Sequence, residues 1–558
     1  MPPSTSCSLW PWLVALLAAS SVALCGARPD PSTDSRLTGR AILIDQTFAD
    51  HRAVDSLLVV RTPEGRRVQV FLDHSSQLDG IRTGAEVELS GRWAASVSAG
   101  GVQASSSSSS SSSSLSRFQA SLIQVMAPPD NERAATYKDG LLAAAATGSA
   151  PRGSNPLIPA DLSIIVIPIA GLTAEGAACM PTPVPALTKA AVQRMVFKAA
   201  DSQAMTVDQT YNMCSYGKTK VTPQNSMVTD VVKLPCSGTS FGVPWSFLKC
   251  DFDDFNGWAD AADAQLDPDL LAKYKHRVYL LPQGACNFVG LGYVGCDGSY
   301  DCRSWVVGAA ALAPQATVHE LGHNLYLGHS GSSTDEYNDP TCAMGYCCTD
   351  RCFNLPKAFQ MGWVKPQQLE GSNLAPGQTV RVALASQTVS DRSGLRIVAS
   401  WAKDVPAAYV GYRTAVGMDA NLALTGLADK VHVYTSHSND TSDSRPSVYE
   451  GMYLAGQHWS QAVSGVVVRV VSIPATSAAT SSAVVTVCRK VAESAASCAA
   501  GRDNNCNGKV GVADPACVKL MPWAPKAPKP RPPPPRARRR PPPPRVRRTR
   551  LVRSPSAP

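Results

Sequence analysis

Residues 317–330 read TVHELGHNLYLGHS. His319-Glu320-Leu321-Gly322-His323 is an HExxH, and on a helix positions i and i+4 project from nearly the same direction. Both imidazoles can therefore bind one Zn²⁺, while Glu320 reaches a metal-bound water without ligating the metal. Val318, Leu321 and Leu325 form an apolar stripe that buries the opposite side of the helix. His329 follows six residues after His323, beyond the expected helix end, with Gly328 available for the turn and HExxHxxxxxH as the full pattern. Three His ligands leave a fourth position for water, as in catalytic rather than structural zinc sites. An HExxH arises by chance in roughly one chain in 200 of this length and composition, and the added His329 lowers that to about 1 in 10⁴. Ordinary surface or core histidines are therefore the weaker reading.

Cys342-Ala343-Met344-Gly345-Tyr346 lies 19 to 23 residues past His323. The spacing resembles the Met-turn of the metzincin clan, in which a Met packs beneath the metal site. The histidine array resembles that clan's HExxHxxGxxH with one departure: Tyr326 stands where the clan has Gly, and Gly328 comes two positions later. The chain must therefore leave the helix by another device. Asp339–Trp363 (DPTCAMGYCCTDRCFNLPKAFQMGW) and Cys286–Cys302 (CNFVGLGYVGCDGSYDC) resemble the gametolysin (autolysin) family of green-algal zinc metalloendopeptidases, peptidase family M11. The resemblance covers about 160–365 and, more loosely, the region to about 490. It implies a secreted endopeptidase acting on proline- or hydroxyproline-rich glycoproteins of a cell wall or extracellular matrix. It further implies His319, His323 and His329 on Zn²⁺, Glu320 as general base, and Met344 in the Met-turn. Tyr346 would then stabilise the tetrahedral intermediate. The alternative is an inactive protease-like, wall-associated structural protein, which would be free to lose Glu320.

Upstream, Arg40–Asp45, Asp55–Thr62, Arg66–Asp73, Ala85–Trp93 and Arg117–Met126 read as short strands with turn residues between them, as in a small β-barrel or sandwich. Ten serines, Ser105–Ser114, interrupt the last hairpin as a flexible loop. Residues 28–178 contain no Cys, and the resemblance makes 28–157 a propeptide. Without a thiolate, latency there must use a carboxylate, a His or steric blockage. The expected catalytic domain, 158–365, opens with the buried strand Ser163–Ile169. A helix follows with Leu187, Ala191, Met195 and Ala199 at every fourth position, and Arg277–Leu281 is another strand. Alternation returns over 366–490 (Val380/Val382/Leu384, Val431/Val433, Val466/Val468/Val470, Val484/Val485/Val487), which reads as an all-β, sandwich-like domain.

The ends set the compartment. Leu9–Leu24 is an apolar core too short for a confident membrane span, followed by small residues to Ala27, so 1–27 reads as a signal peptide, with a signal anchor as the alternative. Eleven Cys between Cys179 and Cys352, and four between Cys488 and Cys517, read as two local disulfide frameworks in a secreted chain. The odd count leaves one central thiol over, and Cys347 and Cys348 should bond different partners. Asn439-Asp440-Thr441 is a glycosylation sequon. The segment 491–520 is Cys-rich, and Asp503, Asn504, Asn505, Asn507 and Asp514 faintly resemble a Ca²⁺ loop, although a disulfide-stapled turn is favoured because Lys509 intrudes and no Glu closes it. Residues 521–558 hold 14 Pro and form a disordered, polyproline-like tail. The net charge is +9, but Lys519–Pro558 carries 13 Lys/Arg and no acid, and removing those charges leaves −4 for residues 1–518. A nucleic-acid-binding fold is disfavoured, because its charge should sit on a structured face. The tail could instead bind acidic polysaccharide, and no membrane span remains after signal cleavage.

Overall fold

The computed structural model describes residues 35–48, 56–72, 75–78, 80–94, 117–127, 161–180, 187–198, 205–296, 300–345, 349–438, 441–474 and 482–521. The signal segment, the serine run, the 139–157 linker, Tyr346, Cys347, Cys348, Asn439 and the tail from 522 lie outside the described residues. The described chain is mostly sheet with few helices. It divides into two compact units, Met1–Asn373 with Arg381–Trp459 and Val468–Thr486, and Leu374–Val380 with Ser460–Val467 and Val487–Pro558. Among the described residues no helix is long and apolar enough to cross a membrane.

Five N-terminal strands, β1 (Ser35–Phe48), β2 (Leu57–Arg61), β3 (Arg67–Leu72), β4 (Glu86–Ala94) and β5 (Arg117–Ala127), pair in the cycle β1-β2-β3-β5-β4-β1. This closed barrel encloses Leu37, Ala41, Leu43, Val60, Val68, Val87, Leu89 and Phe118. All five strands follow the alternation in the sequence. The exception is the extent of β1, expected over Arg40–Asp45 and observed over 14 residues. The polar residues beyond Ile44 leave the barrel and pair instead with a second sheet. Ala41 and Leu43 face the barrel core while Ile42 and Ile44 enter the core of that sheet, as the two-residue period requires of a strand buried on both faces.

The second sheet contains β6 (Ile164–Leu172), β7 (Met227–Val228), β8 (Val232–Pro235), β11 (His276–Leu281), β12 (Phe288–Val294) and β13 (Cys302–Val307); β9 (Ser237–Ser240) and β10 (Val243–Ser246) form a separate hairpin. Its order runs β1-β12-β13-β11-β6-β7. β6, β11 and β13 are mutually parallel, whereas β12 is antiparallel to β13. β6 has the continuous apolar run of a strand covered on both sides: Ile164 and Val166 face one core, Ile165, Ile167 and Ile169 the other. On the first face lie α1 (Lys189–Val196), α2 (Val207–Cys214) and the motif helix; on the second lies α3 (Phe252–Asp263), started by an Asp251/Asp254 capping box. The motif helix is α4 (Pro314–Asn324), and α5 (Leu355–Gln360) follows it.

A six-stranded sheet in the same unit runs in the order Ser330–Gly331, Ser447–Tyr453, Lys430–Ser436, Ala407–Arg413, Leu395–Ile397, Gln367–Leu369. Thus two residues directly after His329 are the edge strand of a sheet otherwise built from residues 367–453. Disulfides join Cys179–Cys236, Cys214–Cys352, Cys250–Cys286 and Cys296–Cys302 in this unit, and Cys488–Cys506 and Cys498–Cys517 in the other. The unpaired thiol among the described residues is Cys342, which is buried.

Candidate metal centre and its comparison with known proteins

Helix α4 begins with Pro314 at its first turn, where the missing N–H costs nothing. Every residue from Gln315 to Asn324 is buried, so the apolar stripe read from the sequence is one side of a wholly enclosed helix. Val318, Leu321 and Leu325 pack with Val278, Leu280, Val306 and Trp363. Asn324 ties the other side to the strands, its Nδ2 donating to the Tyr293 carbonyl at 2.9 Å and its Oδ1 lying 3.2 Å from His276 Nδ1.

The helix ends on Tyr326, which takes the left-handed conformation itself (φ 64°). The Leu327 N–H donates to the Gly322 carbonyl and the Tyr326 N–H to the His323 carbonyl, a Schellman ending with Tyr in place of the usual Gly. The backbone strain of an L-residue there is about 1–2 kcal/mol. It is offset by burial: Tyr326 is 3% exposed, its ring lies against Gly295, and its carbonyl accepts from Gln360 Nε2 at 3.0 Å. That is how the chain turns without the clan's glycine.

His319, His323 and His329 converge, with ring centroids 4.8–5.4 Å apart. One ligand atom from each lies within 4.8 Å of the others, so the group could hold a metal ion. Each Nδ1 has an acceptor: the Ala343 carbonyl at 2.9 Å for His319, the Leu327 carbonyl at 2.9 Å for His323, and Glu336 Oε2 at 3.2 Å for His329. This places the N–H on Nδ1 and the lone pair on Nε2 in all three rings. The Nε2 atoms of His323 and His329 are buried with no hydrogen-bond partner, as is Glu320 Oε2. Burial, with the neighbouring imidazoles, holds His319 well below the usual His range and His323 down to about 3, so both rings stay neutral. Burial pushes the Glu320 carboxyl well up; Thr47 pulls it back by hydrogen bonding and Asp45 adds to the rise.

Space for Glu320 comes from β12. A Cβ on Gly290 would sit 2.1 Å from Glu320 Oε1, and one on Gly292 would sit 3.1 Å from Oε2. The stretch around 342–345 links the histidines from below. The Ala343 carbonyl holds His319, the Met344 carbonyl accepts from the Ser330 N–H at 2.8 Å, and Met344 Sδ lies so close to Gly322 that any side chain there would collide with it. Cys342 Sγ accepts from the Met344 and Asn354 N–H groups at 3.4 and 3.2 Å. Behind His329, fully buried Asp339 accepts from Ser330 Oγ (2.7 Å), the Thr341 N–H (2.8 Å) and Asn354 Nδ2 (3.1 Å), and the Ser447 N–H donates to the His329 carbonyl at 3.1 Å.

The gametolysin peptidase M11 family model matches residues 176–455, half of the chain. The chain belongs to the gametolysin family. An autolysin of Chlamydomonas reinhardtii is 26% identical over 433 residues, covering 59% of this chain and 66% of the relative, just under two thirds of its length. Membership in a metallopeptidase family agrees with the convergent histidines.

Of the residues singled out in the gametolysin reading, His319, Glu320, His323, His329 and Met344 are brought together, while Tyr346 and Asn439 lie outside the described residues. The structure adds Tyr337, whose ring centroid is 4.2 Å from that of His329, and Asp45 and Thr47 from the barrel. Gly290, Gly292 and Glu336 were also unmarked by any spacing rule. The GLGY run inside Cys286–Cys302 was the available signal for the two glycines. The acidic loop near the C-terminus does assemble: Glu493, Asp503 and Asp514 offer oxygens within 4.8 Å of one another.

Proposed function

We propose that this chain is a secreted zinc-dependent endopeptidase. The observation that carries the reading is the inward set of unpartnered, buried atoms, His323 Nε2, His329 Nε2 and Glu320 Oε2, backed by three outward Nδ1–H groups that each have an acceptor. Neutral imidazoles with fixed tautomers suit Zn²⁺, and His319, His323 and His329 would hold it. When bound, Zn²⁺ supplies polarisation of the peptide carbonyl and acidification of water. Glu320, held in the space left by Gly290 and Gly292, takes the proton of the attacking water and delivers it to the leaving amine. The scaffold of Ala343, Leu327 and Glu336 keeps each ring from rotating. The arrangement of these parts, with Met344 under Gly322, supports a metzincin-like assignment of the catalytic region.

The family and the matching autolysin support a peptidase acting on protein, and we read wall or matrix glycoproteins rich in proline or hydroxyproline as its substrates. The disulfides support an extracellular setting. The 28–157 region is read as a propeptide, and the basic Pro-rich tail as the segment that holds the enzyme to an acidic wall polysaccharide. Glu320→Gln in the full chain should reduce hydrolysis of a Pro-rich glycoprotein by about 10³-fold while the bound zinc stays stoichiometric. Retained activity in that variant overturns the assignment.

A further inference from the structure

At the candidate metal centre the outer side of β12 is covered by β1. β1 pairs antiparallel with β12 from Leu43↔Val294 to Phe48↔Phe288, setting Asp45 opposite Gly292 and Thr47 opposite Gly290, the two glycines that face Glu320. Thr47 Oγ1 lies 3.2 Å from His319 Nε2, the atom that the other histidines leave unpartnered. Asp45 Oδ2 lies 3.6 Å from the His323 ring, and the Ser56 hydroxyl donates to Asp45. The main-chain carbonyl of Gln46, between them, accepts from the Tyr337 hydroxyl at 2.7 Å. An extended peptide thus already runs along β12 with the Asp45 carboxylate and the Thr47 hydroxyl at the histidines.

We infer that the N-terminal barrel is an intramolecular inhibitor whose strand Asp45–Thr47 occupies the peptide position beside Glu320, and that β12 must lose β1 before a substrate chain can pair with it. The inference rests on the peptidase reading of the same site. Strand addition at a sheet edge admits one occupant, since each edge N–H and C=O pairs once. The occupant is held well beyond the cleft. Ile42, Ile44, Phe48 and Val59 are built into the same core as Ile167, Leu291 and Tyr293. Arg67 binds Asp260 through two hydrogen bonds of 2.9 and 3.1 Å, Arg117 reaches Asp251 at 3.3 Å, and Arg82 donates to Ser442 at 2.9 Å. Cutting the chain between residues 127 and 161 would therefore leave the barrel in place, and activation requires its displacement or destruction.

The test uses the full chain, zinc-loaded, with and without Arg67→Glu/Arg117→Glu, which sets like charges against Asp260 and Asp251 without touching the site. Hydrogen–deuterium exchange over residues 288–294 and cleavage of casein are measured together. If the docked state is open about 1% of the time, the wild-type chain cleaves about 100-fold more slowly than the opened variant. The variant should exchange β12 amides faster and cleave faster in parallel. A synthetic peptide of residues 40–48, RAILIDQTF, added to the variant should restore both protection and inhibition, and a scrambled peptide should do neither. Equal β12 exchange in wild type and variant, or full casein cleavage by a wild-type chain whose β12 is protected, overturns the inference. Faster β12 exchange in the variant, reversed by the peptide but with no casein cleavage in either state, leaves the docking standing and overturns the peptidase reading.

Discussion

Among the described residues four groups of side chains bring potential metal ligands within 4.8 Å of one another, and two of them, the three histidines and the cluster of Glu493, Asp503 and Asp514, differ in how their polar atoms are used. In the histidine cluster the three outer nitrogens are hydrogen-bonded, while the inner nitrogens of His323 and His329 are left over and that of His319 meets only the Thr47 hydroxyl. In the loop of Glu493, Asp503 and Asp514 the oxygens are consumed locally. Asp503 accepts from the Asn507 and Gly508 N–H groups at 3.0 and 2.7 Å, Glu493 from the Asn505 N–H at 3.0 Å, and Asp514 from Asn505 Nδ2 at 2.7 Å. The Cys488–Cys506 and Cys498–Cys517 bonds staple that loop. Proximity of ligands is thus common to a candidate metal centre and a structural knot; unpartnered inward atoms with partnered outward ones separate them.

The contrast can be broken at several points. The largest effect is expected for Asp339→Ala. Removing this buried carboxylate strands the Ser330, Thr341 and Asn354 donors and should cost about 3–5 kcal/mol, since each buried group left unpaired costs about 1–3. Zinc content measured with the melting temperature should fall too, because His329 precedes Ser330; a stable variant with full zinc would show that the centre does not depend on this scaffold.

Acid comes next. Burial pushes His276 down to about 4 and His432 down to about 3, so both are neutral when folded and take up a proton on unfolding below about 6.5. Their contribution is complete above pH 6.5 and is lost as pH falls toward 4, about 2 kcal/mol for each between pH 6.5 and 5. Urea midpoints over that range should fall steeply in the parent and less so in His432→Gln.

Gly290→Val would drive a side chain into Glu320 and should lower peptidase activity about 100-fold with zinc retained, the scale expected for misplacing a reacting group by an ångström. Loss of zinc instead would make these glycines supports of the metal site rather than of the base.

A smaller loss, about 2 kcal/mol, is expected for Tyr326→Gly: relief of the left-handed strain returns about 1–2 kcal/mol, but removal of a buried ring costs about 3–5. A stabilised variant would show that the helix ending, not the ring, governs this corner. The smallest effect is in the loop. Asp503→Ala should cost about 1 kcal/mol through its two backbone bonds, and added Ca²⁺ should leave the melting temperature unchanged. A rise of several degrees with Ca²⁺ would erase the distinction between the two sites.

Much of this was legible because short-range rules operate on it. The i, i+4 spacing puts His319 and His323 on one helix face whatever surrounds them, and two-residue alternation located the five barrel strands and the strands near Val382, Val433, Val468 and Val485. The odd central cysteine, left open by counting, is Cys342 among the described residues. The extension of β1 to Phe48 was not legible, because Asp45, Gln46 and Thr47 are polar and read as the end of a strand until a second sheet supplies their partners.

The sequence by itself determined the ligand types, the helix that carries two of them and the disulfide-rich setting, since composition and periodicity act within a few residues of chain. Only the tertiary structure decided that His329 hangs on a strand paired to Ser447, that Gly290 and Gly292 leave room for Glu320, and that Thr47 lies against His319 across 272 residues of chain. Those placements come from the packing of segments far apart in sequence, where no local rule can reach: a polar residue is free to be buried once a distant partner satisfies its hydrogen bond.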